Sequence, residues 1–208
     1  MKRGALIILE GCDRVGKTTQ CKLLVEKLKS KDVAAEYMSF PDRTTCLGKI
    51  LDDYLGNKAE VNDKAIHLLF SGNRWELESK MKKLLSHGTT LVIDRYAYSG
   101  VAYSAAKEGM SLDWCKRADV GLPKPDAVFL LKIGRDSLHQ RPGFGEERYE
   151  NDTFLNKVWA NYQALKDETF KVILTFLLTL KSRLELRLKV LQITALVNQV
   201  DLISSFNM

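Results

Sequence analysis

The sequence predicts an α/β protein: a parallel β-sheet with helices on both faces. Three observations predict it. An unbroken apolar run, Ala5 to Leu9, leads through a glycine-rich turn into an amphipathic stretch. Two further apolar runs, Thr90 to Ile93 and Ala127 to Ile133, alternate with helical patterns, as parallel strands and their crossovers do. The 208 residues are 45% hydrophobic and 28% charged, which supplies one sizeable core and excludes a disordered chain.

Taken in order, Ala5 to Leu9 is a strand covered on both faces. Cys21, Leu24, Val25 and Leu28 then fall on one helical face, with Lys22, Glu26, Lys27 and Lys29 turned away. A second strand is expected at Glu36 to Phe40, stopped by Pro41. Leu47, Ile50, Leu51 and Tyr54 mark a helix, and one long helical pattern runs from Asn62 to Leu85. Its apolar positions include Ala65, Leu68, Leu69, Trp75 and Leu84. Thr90 to Ile93 is a strand ending in Asp94, and helices are expected at Ser99 to Lys107 and Ser111 to Ala118. Leu122 to Asp126 is a turn into the strand Ala127 to Ile133, and Asp152 to Lys166 is helical. From Phe170 onward ten leucines stand against two acids, helical and strand periodicities compete, and Val172 to Leu178 is the place for a last strand. A single domain over residues 1–208 is expected, without repeats or linkers.

Thirty-two Lys and Arg against twenty-six Asp and Glu give a net charge of +6, which suits polyanionic ligands but is too dispersed for a nucleic-acid surface. The apolar tract Val172 to Leu180 is too short for a membrane span. Cysteines 12, 21, 46 and 115 form no metal or disulfide spacing. A soluble intracellular protein, without nucleic-acid or membrane partners, is the expectation.

Gly11-x-x-x-x-Gly16-Lys17-Thr18 is a complete Walker A pattern, set between a strand and a helix as that motif requires. Its backbone amides, from Gly11 through Val15 to Thr19, and the helix start behind them can cradle phosphates. Lys17 can reach the β- and γ-phosphates, and Thr18 can offer Mg²⁺ an oxygen. Arg14 can neutralise charge developing on a transferred group, or remain a solvated loop residue. Asp13 is costly beside anions and should turn towards a hydroxyl of a second substrate. Asp94, at the carboxyl end of a strand, fits either the metal and its waters or a helix cap.

On the acceptor side, Arg95 and Arg43 arrive at neighbouring strand ends and can fork onto one phosphate; a surface ion pair is the alternative for Arg43. Phe70 and Arg74 share a helix face, one turn apart, suited to stacking on a base and bonding its edge, although such pairs are common in ordinary cores. Ser99, Gly100 and Tyr103 place a glycine and a phenol near the same point. Arg141 to Glu150 mixes hinge-capable glycines with Arg141 and Arg148, as a lid over a water-excluding site would, or as an exposed loop would.

With these pieces in place, the chain resembles the thymidylate kinase family, of the eukaryotic and poxviral type. The matching stretches are GCDRVGKTTQ at 11–20, FPDR at 40–43, LLFSGNRWE at 68–76, DRYAYSGVAY at 94–103, GLPKPD at 121–126 and RPGFGEERYE at 141–150. The resemblance implies a nucleoside monophosphate kinase-like P-loop fold with a short lid at about 135–149. It implies transfer of the ATP γ-phosphoryl to dTMP for dTTP biosynthesis, with Mg²⁺, in a homodimer of the cytoplasm or nucleus. By the same resemblance, Arg14, Lys17, Asp94, Arg95, Arg141 and Arg148 are catalytic. Gly11, Asp13, Arg14, Val15, Gly16, Lys17, Thr18 and Thr19 bind ATP, while Thr18 and Asp94 serve the metal. Asp13 contacts the 3′-hydroxyl of dTMP, Arg43 and Arg95 clamp its phosphate, Phe70 stacks on thymine and Arg74 donates to O4. Tyr103 excludes a ribose 2′-hydroxyl, with Phe40, Ser99, Gly100 and Tyr149 around the nucleotide. The nearest alternatives are a deoxynucleoside kinase and a P-loop binding module without catalysis. Resemblance ends near residue 168. The family's final strand, with its Val-Asp-Ala type segment, and its acid-rich last helix are not recognisable, so an exposed core edge is expected there.

Overall fold

In the computed structural model, residues 3–134 and 147–175 are described. The chain runs β1 (Leu6–Glu10), α1 (Lys17–Lys29), β2 (Ala35–Ser39), α2 (Cys46–Leu55), α3 (Asp63–Glu76) and α4 (Glu78–Ser86). Then come β3 (Thr90–Asp94), α5 (Ala97–Ser104), α6 (Leu112–Arg117), β4 (Ala127–Ile133), α7 (Asp152–Ala164) and β5 (Phe170–Thr175). Among the described residues the strands form one five-stranded sheet in the order β2-β3-β1-β4-β5, and every pairing is parallel.

This order explains where a ligand can sit. From β1 the chain first builds β2 and β3 on one side, then crosses to build β4 and β5 on the other. The carboxyl end of β1 is therefore the topological switch, where connections part and leave a crevice. Gly11 to Gly16 occupies it. Side chains of β1 alternate between two cores: Leu6 and Ile8 face the cluster built by α2–α5 and α7, while Ile7 and Leu9 face α1. That double coverage is why the strand reads as a continuous apolar run.

Three expectations are corrected. The long pattern from Asn62 to Leu85 is two helices: α3 ends and α4 starts at Leu77, whose backbone opens to φ −102° and ψ 0°. Its N–H bonds Arg74 O three residues back, a tightened turn that re-aims α4 so that Met81 and Leu85 enter the core. Leu68 and Trp75 do not belong to a buried stripe, being 51% and 38% exposed. The buried face of α3 is instead largely polar, with His67, Ser71, Asn73 and Arg74 beside Ile66. Finally, the last strand is present: β5 pairs with β4 from Val128↔Phe170 to Ile133↔Thr175, so the sheet is not left open at β4. Residues 176–208 and the lid segment 135–146, with Arg141, lie outside the described residues.

Candidate active site

The glycine loop closes tightly over the sheet. Gly11 has φ +139°, and a Cβ there would lie 2.4 Å from Leu131 O, so both conformation and space demand glycine. Gly16 caps α1 in the left-handed region without any side-chain bond to the helix start, and no acid stands in the first turn. Helices α2, α3, α6 and α7, by contrast, are each capped by a Thr, Asn or Ser side chain. The first amides of α1 thus remain available to an anion. Arg14 itself has φ 57°, a strained conformation of the sort stored at functional sites, and pairs with Glu150 at 2.5 Å.

Two cavities open on this loop. The first, about 340 Å³, is lined by Asp13, Arg14, Gly16, Lys17, Thr18 and Thr19 together with Asp94 and Arg95. The second, about 280 Å³, takes in all ten residues expected around the second nucleotide: Asp13, Phe40, Arg43, Phe70, Arg74, Arg95, Ser99, Gly100, Tyr103 and Tyr149. Asp13, Thr18, Asp94 and Arg95 line both. Within the loop Lys17 Nζ donates to Cys12 O at 2.7 Å, and burial pushes its ammonium below the ordinary lysine range. Val15 is packed into the core beside α1 and lines neither of these cavities. The side chain of Gly11's neighbour across the gap, Arg95, donates to Gly11 O at 3.1 Å.

Arg95 is the centre of the shared wall. It sits at φ 66° just past β3, donates to Asp13 and to Ser99 Oγ, and carries the Tyr103 ring 5.2 Å from its guanidinium carbon. Tyr103 OH also donates to Asp13 at 2.8 Å. Burial opposes charge on Asp13, but Arg95 and Lys17 beside it, with the Tyr103 bond, hold its carboxyl below the usual carboxylate range. Thr18 Oγ1 donates to Asp94, which is therefore a partner of the glycine loop and not the cap of α5. That pair sits where the cavities meet and offers a hydroxyl and a carboxylate. Hard oxygen donors in this number fit Mg²⁺, which relies on phosphates and water for its remaining ligands.

The start of α5 is held by Glu10, the last residue of β1. Fully buried, it accepts from Tyr96 N at 2.8 Å, Ser99 N at 3.1 Å, Ser99 Oγ at 2.5 Å and Tyr162 OH at 3.0 Å. One carboxylate thereby locks β1, the helix behind Arg95, and α7 together. An acid ending an apolar strand directly before a glycine loop was the available signal.

The remaining arginines differ in placement. Arg74 is buried against Asp119, whereas Arg43 is half-exposed at the rim and pairs with Asp52 and with Glu147 at 3.0 Å. Arg148 lines neither cavity: it bonds Tyr54 O, Ala59 O and Glu60 and lies over the Tyr54 ring at 4.1 Å. Its sequence neighbour Tyr149 does reach the second cavity.

A family model described as thymidylate kinase matches residues 9–181. The chain belongs to the thymidylate kinase family. The match runs past residue 168 to include β5, further than the motifs alone suggested. A human thymidylate kinase is 52% identical over 169 residues, covering 81% of this chain and 80% of that one. One from Danio rerio is 49% identical over 168 residues, 81% of this chain and 79% of the other. Among solved structures, thymidylate kinase from Candida albicans superposes with a TM-score of 0.84 at 34% identity, over 95% of this chain and 92% of that one.

Proposed function

We propose that this chain transfers the γ-phosphoryl group of ATP to the phosphate of dTMP, giving ADP and dTDP for dTTP synthesis. The observation that carries the reading is the wall shared by the two cavities, Asp13, Thr18, Asp94 and Arg95. A phosphate in each cavity would meet its partner there. An oxygen of the dTMP phosphate attacks the γ-phosphorus as the bond to the β–γ bridging oxygen breaks, and the acceptor's own anionic oxygen removes any need for a general base.

The loop amides from Gly11 to Thr19 and Lys17 hold the donor phosphates. Arg14, kept in place by Glu150, and Arg95 stabilise charge in the transition state. Arg43 and Arg95 grip the acceptor phosphate, and Asp13 takes the 3′-hydroxyl. Phe70 and Arg74 receive the base, Tyr103 fills the space of a 2′-hydroxyl, and Phe40, Ser99, Gly100 and Tyr149 complete the walls. Arg141 and Arg148 belong to the lid. Thr18 and Asp94 would hold Mg²⁺, which when bound supplies charge neutralisation between the phosphates.

Ile50, Leu68 and Trp75 leave apolar surface on α2 and α3, in keeping with a homodimer. Free Cys12, Cys21, Cys46 and Cys115 suit a reducing cytoplasmic or nuclear compartment, and among the described residues no helix is long and apolar enough to cross a membrane.

The test is an assay of the purified full chain with ATP and Mg²⁺, offered dTMP or thymidine. ADP and dTDP from dTMP, with no product from thymidine, is the expected result. Phosphorylation of thymidine would make it a nucleoside kinase, and ATP binding without dTDP would leave a binding module.

A further inference from the structure

Arg74 is the residue to which the reading above gives the base edge, and its surroundings restrict what that edge can be. The side chain is almost completely buried, as is its partner Asp119. Nε donates to Asp119 Oδ1 at 2.9 Å and one terminal nitrogen, Nη2, donates to Oδ2 at 2.8 Å. This is a bidentate fork, which fixes the plane of the guanidinium as well as its position. A flat face of the same group lies against α5. A Cβ at Gly100 would stand 2.6 Å from Nη2 and 3.0 Å from both Cζ and Nη1, so the close approach depends on glycine. Edge and face are thus both held, and Nη1 is the nitrogen outside the fork on a side chain that lines the cavity.

Asp119 is itself anchored by α3. The Ser71 hydroxyl reaches Asp119 Oδ1 at 2.8 Å and Ala118 O at 2.9 Å. Trp75 Nε1 donates to the same Ala118 carbonyl at 2.9 Å. Residues 71, 74 and 75 stand on one side of α3 at helical spacing, so three successive contacts bolt the segment after α6 to the helix that carries Arg74.

We propose that Asp119 is a positioning residue for base selection: it orients Arg74 so that the slot presents only donors to the 4-position of a pyrimidine. This rests on the base-slot reading of Phe70 and Arg74. A guanidinium has no acceptor. It matches the O4 carbonyl of thymine and opposes the N4 amino group of cytosine, where N–H would face N–H. Discrimination of that kind needs a rigid donor, because a fork free to swing can move aside from the wrong base or follow the nucleotide's phosphate. Asp119 also compensates a cation that would otherwise be buried alone beside the base.

The experiment compares kcat/KM for dTMP and dCMP in the full-length chain, in Asp119→Asn and in Ser71→Ala, with KM for ATP measured alongside. The unaltered chain should prefer dTMP by about 1,000-fold or more. Asp119→Asn keeps the shape but sets an amide N–H against the arginine. It should cut that preference about 10- to 100-fold, mainly by raising KM for dTMP, while KM for ATP stays put. Ser71→Ala should lower the preference about 3-fold. A folded Asp119→Asn that remains as selective as the unaltered chain overturns the proposal, and so does equal loss on both substrates together with a raised KM for ATP. Should Asp119→Asn not fold, unchanged selectivity in Ser71→Ala overturns it instead. An unaltered chain that makes no dTDP, or takes both nucleotides alike, overturns the base-slot reading and this proposal with it.

Discussion

The cavity over the glycine loop takes six of its eight lining residues from the single stretch 13 to 19, and what it can offer a phosphate is backbone amide, Lys17 and Arg14, with Arg95 from across the gap. The cavity beside it gathers side chains from the ends of β2 and β3, from α3 and α5, and from the segment before α7. Those side chains are already bonded to one another, Arg95 to Asp13 and Ser99 and Tyr103 to Asp13, while Arg74 is held from behind the wall by Asp119. A site of the first kind is a local property of the chain. One of the second kind exists only when several elements are docked, and its members share partners. Substitutions in it should therefore be non-additive, whereas the glycine loop should depend steeply on single groups.

The largest effect expected is Lys17→Ala. Its ammonium is the loop's lysine cation on the donor cavity, and loss of a preorganised charge of this type lowers rates by about 100- to 1,000-fold or more. Single-turnover formation of dTDP should fall by at least that, and near-normal turnover would remove the glycine loop from the chemistry. Next, the two acceptor arginines should separate. Arg95 belongs to the wall common to both cavities, so Arg95→Ala should reduce kcat by about 100-fold with little change in ATP affinity. Arg43, 45% exposed and shared between Asp52 and Glu147, should mainly raise KM for dTMP, by about 10-fold in Arg43→Ala. If both variants lost kcat equally, the distinction between shared wall and rim would fail.

The same contrast decides what could be read from sequence. Strands β1, β3 and β4 were legible because a buried parallel strand is a run of apolar residues, and the glycine loop because its parts are adjacent in the chain. Ten of the nineteen residues that line the second cavity belong to separate short stretches, each weak alone. What sequence could not reveal were partners far away in it: Asp119 lies 45 positions from Arg74, and Tyr162 lies 152 from Glu10. Leu77 ends α3 with no proline or glycine to announce it, because the turn is imposed by docking of α4 on the core. Leu68 sits at apolar spacing yet faces outward, and Trp75, on the side of Ser71 and Arg74, is only partly covered by the segment after α6 to which its Nε1 is bonded.

A smaller effect sharpens the comparison from the side of pH. Asp13 belongs to both cavities, and Arg95 and Lys17 outweigh burial to keep its carboxyl below the ordinary range. Its contribution to stability is complete above the unfolded carboxylate value of about 4, and is lost only as pH falls through the lower folded value. Between pH 5 and 8 Asp13 therefore stays charged and imposes no titration of its own. An acceptor phosphate would titrate there, with a second ionisation near 6 as in other phosphate monoesters, and Arg43 and Arg95 in their proposed role would favour its dianion. At saturating ATP and Mg²⁺, kcat/KM for dTMP should decline about 10-fold per unit below pH 6. Asp13→Asn should lower the plateau through loss of the Arg95 and Tyr103 bonds, yet leave the midpoint in place. A midpoint that moved by more than about one unit in that variant would assign the titration to Asp13, and the wall between the cavities would then be a proton-sensitive element instead of a fixed charge.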